Sequence, residues 1–320
     1  MKTSRFFLLV GSVTLIPSMG FASCGSAFCT VNSNWTAEGA ATETGSVFDL
    51  RYEYINQNQP RSGTNNVTAG QISHDHDEVS TANHNLLATY SRTFDNGWGV
   101  TVVAPVVERS HFHLRNEEDG TQAAERWKFT GLGDVRVVGR YQLPFVGEIT
   151  GPATTGITFG LKLPTGKTTI TNRAGDLAER TLQPGSGTTD LVLGAYYHQK
   201  LPQSNASWFI QGQIQHALNS HDDFKPGAQA AVDAGFRYAM NDKLSALIQV
   251  NALLKQRDRG GQAEPADSGG RFVSISPGLS YALTETVQIY GFFQKPVYQD
   301  VHGVQLTANK SLVAGLSTRF

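Results

Sequence analysis

Residues 311–320 read "SLVAGLSTRF", with Leu312, Ala314, Leu316 and Phe320 on one parity and Ser311, Ser317 and Arg319 on the other. Successive side chains of a strand point to opposite faces, so this alternation predicts a strand with one apolar face, carried to the last residue. That face needs a cover, and the rest of the chain decides which.

The same pattern recurs from Ser46 onward. In "FDLRYEY", Phe48, Leu50, Tyr52 and Tyr54 oppose Asp49, Arg51 and Glu53. In "DVRVVGRYQL", Val135, Val137, Gly139, Tyr141 and Leu143 oppose Asp134, Arg136, Val138, Arg140 and Gln142. "WFIQGQIQ" and "AVDAGFRYAM" repeat the split, placing Gln211 and Gln213, then Asp233 and Arg237, on the polar parity. These are strand periods, each with one greasy and one polar face.

About twelve such segments are predicted, near residues 46–56, 85–94, 98–109, 131–143, 154–163, 188–200, 207–217, 228–240, 244–254, 271–283, 286–294 and 309–320. Short turns alternate with longer polar loops at 57–84, 110–130, 164–187, 218–227, 255–270 and 295–308. An even strand count with short turns on one rim and long loops on the other predicts an all-β, antiparallel, up-and-down transmembrane β-barrel. Lipid then covers the apolar face, and closure removes the sheet edges. Phe320 resembles the C-terminal aromatic signature of bacterial outer-membrane barrels. Pro105 and Pro277 sit awkwardly inside predicted strands, because proline cannot donate a ladder hydrogen bond.

The N-terminus carries Lys2 and Arg5 before the apolar run "FFLLVGSVTLIPSM", which predicts a signal peptide over residues 1–22. Residues 23–45 are then expected to form a periplasmic segment or lumen plug, and residues 46–320 the barrel. Cys24 and Cys29, the two cysteines of the chain, predict a local disulfide in an oxidising compartment, with lipid modification of Cys24 or a thiol metal or redox site as the alternatives. A formal net charge of -1 gives no basic field to hold nucleic acid. The expected partners are outer-membrane lipid and a small-molecule cargo, and no residue identifies a periplasmic partner.

"GLGDVRVVGRYQL", "GLKLPTGK" and "GSGTTDLVLGAYY", within residues 131–197, resemble a family of transporters of the phenol meta-degradation pathway. The resemblance implies an outer-membrane β-barrel that passes small, often aromatic or hydrophobic, compounds. It brings no catalytic or ligand residues with it.

If lipid lies outside, the polar parity turns Asp49, Arg51, Glu53, Asp134, Arg136, Arg140, Lys162, Asp190, Asp233 and Arg237 towards the lumen. Their mixed sign argues against a strongly ion-selective pore, and they serve either cross-lumen pairing or a transport path. "SHDHDE" and "HFH" set His74, His76, His111 and His113 among carboxylates, a combination suited to Cu²⁺, Ni²⁺ or Zn²⁺. The competing reading is a solvated loop on the cell exterior. "LPTGKTT" has Leu161 where a phosphate loop needs glycine, so it reads as a strand end entering a loop, and "GLGD" reads as a strand start. Ser110 with His111, or Asp190 with His198, are the nominees for a hydrolase, but no spacing singles them out.

The expectation is therefore a non-enzymatic, passive channel in the outer membrane of a Gram-negative bacterium, narrowed by its N-terminal segment. No cofactor is expected for it; a transition metal enters only on the metal-binding reading of the histidines. The alternative is a metal-binding, structural or adhesive barrel acting through its exterior loops.

Overall fold

The computed structural model describes residues 23–24, 44–72, 76–117, 119–144 and 152–320. Their long strands are β1 (Gly45–Gly63), β2 (His76–Thr93), β3 (Trp98–Asn116), β4 (Gln122–Leu132), β5 (Arg136–Leu143) and β6 (Ala153–Lys162). They continue as β7 (Asp190–Leu201), β8 (Ala206–Ala217), β9 (Gln229–Ala239), β10 (Leu244–Lys255), β11 (Gly270–Ala282) and β12 (Val287–Arg319). Apart from β4 and β5, which both pair with β3, neighbours in sequence pair antiparallel, and β12 pairs with β1 to close the sheet.

Two details set the number of passes. β4 and β5 both pair with β3, at Val106–Asn116 and Trp98–Val103 respectively, so together they make one pass interrupted at Gly133–Val135. β12 folds back at Gly303, whose φ is +60°, and the amide of Arg319 donates to the carbonyl of Thr286 at 2.9 Å. Its two arms therefore lie side by side, one against β11 and the other against β1. The wall is crossed twelve times.

The barrel is polar inside and greasy outside, the inverse of a soluble domain. Leu50, Leu86, Phe159, Leu193, Ile210, Val232, Ile248, Leu279 and Leu316 are exposed. Glu53, Asn83, Asn85, Asp190, Asp233, Gln249, Asn251 and Ser276 are buried. Only lipid makes that arrangement favourable, and the pairing of β12 with β1 closes the sheet around it. Near the short turns, Trp98 packs on Tyr141 with ring centroids 4.8 Å apart, and Tyr197 on Trp208 at 5.1 Å. These outward pairs form part of an aromatic belt at one membrane interface.

The prolines fall where the ladder is already broken. Pro105 accepts from the Gly133 amide in the gap between β4 and β5, so its missing N–H faces no lost partner. The β11–β12 register skips Ser276 and Pro277 between Ile275 and Gly278, and Pro296 adjoins a register shift at Val273/Ser274. Each is an irregularity of the kind that tolerates proline in a sheet.

The wall is uneven in height. β1, β2 and β3 have 19, 18 and 19 residues, whereas a tilted strand crosses hydrocarbon with about 9–11. Much of the predicted loops 57–84, 110–130 and 295–308 is therefore strand that rises beyond the bilayer. Once a strand leaves lipid, its outer face no longer has to be apolar, and the period that marks it in the sequence fades.

Candidate functional site

The loop of residues 163–189, between β6 and β7, folds into the lumen. Its two ends meet at Gly166 and Gly185, where a Cβ on Gly166 would lie 2.6 Å from the Gly185 Cα. Beside them a buried polar knot ties loop to wall. Lys162 Nζ donates to Asp134 Oδ2 at 2.7 Å and to the Thr188 carbonyl at 3.1 Å, and lies 3.4 Å from Asp190 Oδ1. Asp134 accepts from the amides of Gly166 and Ser186 at 3.1 and 3.0 Å. Thr165 bridges the β4–β5 break, donating to the Gly133 carbonyl at 2.8 Å while accepting from the Val135 amide at 2.9 Å. "GLGD" is thus a strand interruption rather than a strand start. "LPTGK" is the beginning of the inward loop.

Further in, the buried guanidinium of Arg109 on β3 donates to the carbonyls of Thr181, Leu182 and Gln183. Trp127 Nε1 on β4 donates to the Asp176 carbonyl at 3.3 Å. Ala178 and Leu182 cluster with Trp127 and with Leu306 on the second arm of β12. β4 and that arm are separated around the wall by β1, β2 and β3, so the cluster reaches across the lumen. The loop narrows the channel at this level. Arg180 joins it to the neighbouring loop, donating to the carbonyls of Ser186 and His221 at 3.1 and 3.3 Å.

The charges assigned to the polar parity are all buried or half-buried on the inner face. Asp49 accepts from the Tyr290 hydroxyl at 2.9 Å, and Arg51 pairs with Glu53 at 3.0 Å. Arg136 donates to Gln215, Arg140 to Thr93 at 2.7 Å, and Arg237 to Ser245 at 3.1 Å. Asp233 accepts from Gln211 and Asn251 at 2.9 and 2.8 Å. Asp134, Lys162 and Asp190 form the knot that holds the loop.

Three of the four histidines come together. A register shift between Glu78 and Ser80 leaves Val79 as an extra residue in β2 and turns His76 and Glu78 to the inner face. There His76 Nε2 lies 3.4 Å from Glu78 Oε1 and 3.1 Å from Glu179 Oε1. His111 Nε2 is 3.2 Å from His113 Nδ1 and 3.7 Å from Glu78 Oε2, and His113 Nδ1 is 3.8 Å from Glu179 Oε1. The rings are buried, in contrast to a solvated exterior loop. His74 and Cys29 lie outside the described residues. Glu78 stands in the sequence among the carboxylates of "SHDHDE" but only the bulge turns it inward, and Glu179 carries no signal of its own because it depends on a loop that turns inward.

The hydrolase nominees do not assemble. Ser110 is exposed on the outer face while His111 points inward. Asp190 and His198 stand eight residues apart on β7, roughly 26 Å at strand rise.

A family model described as MetA-pathway of phenol degradation matches residues 57–301. No curated protein matches the sequence. Among solved structures, an outer membrane channel from Pseudomonas putida F1 superposes with a TM-score of 0.62 at 14% identity, covering 88% of this chain and 98% of that one. The NanC porin gives 0.47 at 12% identity, with 85% and 100% covered. The CymD monoaromatic hydrocarbon channel gives 0.44 at 9%, with 87% and 89% covered. The first likeness shows a common fold.

Proposed function

The chain belongs to the MetA-pathway of phenol degradation family, and from that premise we propose that it is a passive outer-membrane channel for small hydrophobic or aromatic molecules. The observation that carries this reading is the inward loop, held by Arg109 and by the Asp134–Lys162 pair, which crosses a polar lumen without belonging to the wall. A purely structural barrel has no use for a separately anchored constriction. Twelve passes enclose more space than an eight-stranded barrel, whose side chains fill it, and less than the open channel of a sixteen-stranded porin.

The N-terminal segment belongs to the same proposal, as a second insert of residues 23–45 stiffened by a Cys24–Cys29 disulfide after removal of residues 1–22. Its support is the parallel pairing of Ser23 and Cys24 with Gln305 and Leu306, next to the β12 turn. Thr44, by contrast, accepts from Arg319 at the opposite rim.

The test is reconstitution of the purified barrel in planar bilayers and liposomes, with phenol as the probe solute. Single-channel currents and phenol entry above the protein-free control are expected, and both should rise when residues 23–44 are deleted. Absence of both in the intact and the shortened protein would overturn the channel reading.

A further inference from the structure

The histidine cluster is built like a coordination sphere. We propose that His76, Glu78, His111, His113 and Glu179 bind one divalent transition-metal ion of the zinc class, and that the ion fastens the inward loop to the wall. The gating half rests on the channel reading, whereas the binding half stands alone.

Zinc holds imidazole nitrogen at about 2.0–2.1 Å, so two donors at a tetrahedral angle stand roughly 3.3 Å apart. His111 Nε2 and His113 Nδ1 are 3.2 Å apart, His76 Nε2 and Glu179 Oε1 3.1 Å, and His76 Nε2 and Glu78 Oε1 3.4 Å. One ligand atom from each of His76, Glu78, His113 and Glu179 falls within 4.8 Å of all the others. The donors come from β2, β3 and the loop, and His111 adds a further nitrogen beside them.

A second observation concerns the nitrogens that face away. His113 Nε2 meets Glu125 Oε2 at 3.0 Å, and Glu125 is itself held by Arg115 at 2.8 Å. His111 Nδ1 meets Thr81 Oγ1 at 2.8 Å. Metal-binding imidazoles characteristically engage their far nitrogen in this way, which fixes the ring and raises its basicity. The bulge at Val79 supplies the third element, since without it His76 and Glu78 would not share the inner face with Thr81. Imidazole with carboxylate selects zinc, nickel or copper over magnesium or calcium.

Glu179 gives the site its consequence. It sits one helical turn before the carbonyls that Arg109 caps, with the amides of Leu182 and Gln183 donating to its own carbonyl at 2.9 and 3.2 Å. An ion bound to Glu179 and to two strands therefore adds a second anchor to the loop. Glu179 keeps 16% of its side chain exposed, which opens a route for the ion from the lumen.

Full-length protein purified with a chelator and dialysed free of it is titrated calorimetrically with Zn²⁺, with Mg²⁺ as control. About one equivalent of Zn²⁺ should bind and Mg²⁺ should not. Glu179→Gln and His113→Ala, each checked for heat-dependent gel mobility as a sign of folding, should weaken Zn²⁺ binding at least 10-fold. Glu125→Gln should weaken it by about 10-fold through ring orientation alone. In bilayers, Zn²⁺ should lower the conductance of the wild type, EDTA should restore it, and Glu179→Gln should not respond. No stoichiometric binding, or equal binding by wild type and ligand variants, overturns the site. Binding with unchanged conductance overturns the fastening role, and a wild type silent in EDTA overturns the channel reading instead.

Discussion

Lys162 Nζ and Asp134 Oδ2 lie 2.7 Å apart, and they join two stretches of sequence that meet only in the folded barrel. The third stretch, "GSGTTDLVLGAYY", contributes Ser186, Thr188 and Asp190 to the same knot. The three segments that carry the family resemblance therefore share one physical task, fixing both ends of the inward loop where it leaves the wall.

Lys162→Met removes the cation from this knot. Asp134 and Asp190 then lose their direct ion-pair partner and keep only Arg136 nearby, and breaking a buried pair in this way costs about 3–5 kcal/mol. Chemical unfolding of the variant in detergent should show a loss of that order. Its single-channel currents should become larger and noisier as the loop loosens. Unaltered stability together with wild-type current would refute the role assigned to the knot.

Arg109 holds the loop further into the lumen, at residues 181–183. Hydrogen bonds to a charged group contribute about 1.5–3 kcal/mol each, and Arg109 makes its bonds to three consecutive carbonyls. Arg109→Ala should release this part of the loop, making the chain after the buried Arg180 much more sensitive to trypsin while the barrel survives. Arg109→Lys, which keeps the charge but not the guanidinium's reach and shape, should fall between the two. Equal cleavage rates in wild type and Arg109→Ala would count against the assignment.

The wall was legible because lipid imposes a strict period of two on every strand it touches, as in Leu312, Ala314 and Leu316. The polar parity that those strands bury was legible for the same reason. The constriction was not, because its parts obey no period. Arg109 is one polar residue among several in an extended strand, Glu179 sits in a loop without a motif, and the Val79 bulge reverses the alternation on which the reading depends. The histidines were visible as a group because they crowd with carboxylates into "SHDHDE" and "HFH", and their burial was hidden by the strand extensions around them.

Leu193 and Gln213 test the two faces of the wall with a single kind of change. They lie on adjacent strands β7 and β8, Leu193 exposed towards lipid and Gln213 turned inward. Leu193→Arg should destabilise the folded barrel by about 2–4 kcal/mol if the residue lies near the bilayer midplane. Gln213→Lys should leave stability close to wild type and move the reversal potential towards anions. Folding measurements in lipid vesicles and reversal potentials in a salt gradient read the two effects. Equal penalties at both positions would contradict the assigned orientation.

Gly278 faces the lumen opposite Phe292, and the ring occupies the space that a side chain on Gly278 would fill. A Cβ built there lies 2.4 Å from Phe292 Cδ1 and 2.6 Å from the Gly291 carbonyl. The ring is buried and clustered with Leu247, Tyr290 and Val313 on the inner face. Gly278→Val must therefore push Phe292 off its rotamer or open the β11–β12 ladder, an overpacking cost of about 1–3 kcal/mol. Removing the ring as well separates these causes. In Gly278→Val with Phe292→Ala, the steric conflict with the ring disappears while the contact with the backbone remains. If the ring is the obstacle, the double variant should be more stable than the sum of the two single losses predicts, measured by urea unfolding in detergent. Simple additivity would locate the strain in the backbone instead and show that the glycine is there for strand spacing rather than to seat the aromatic ring.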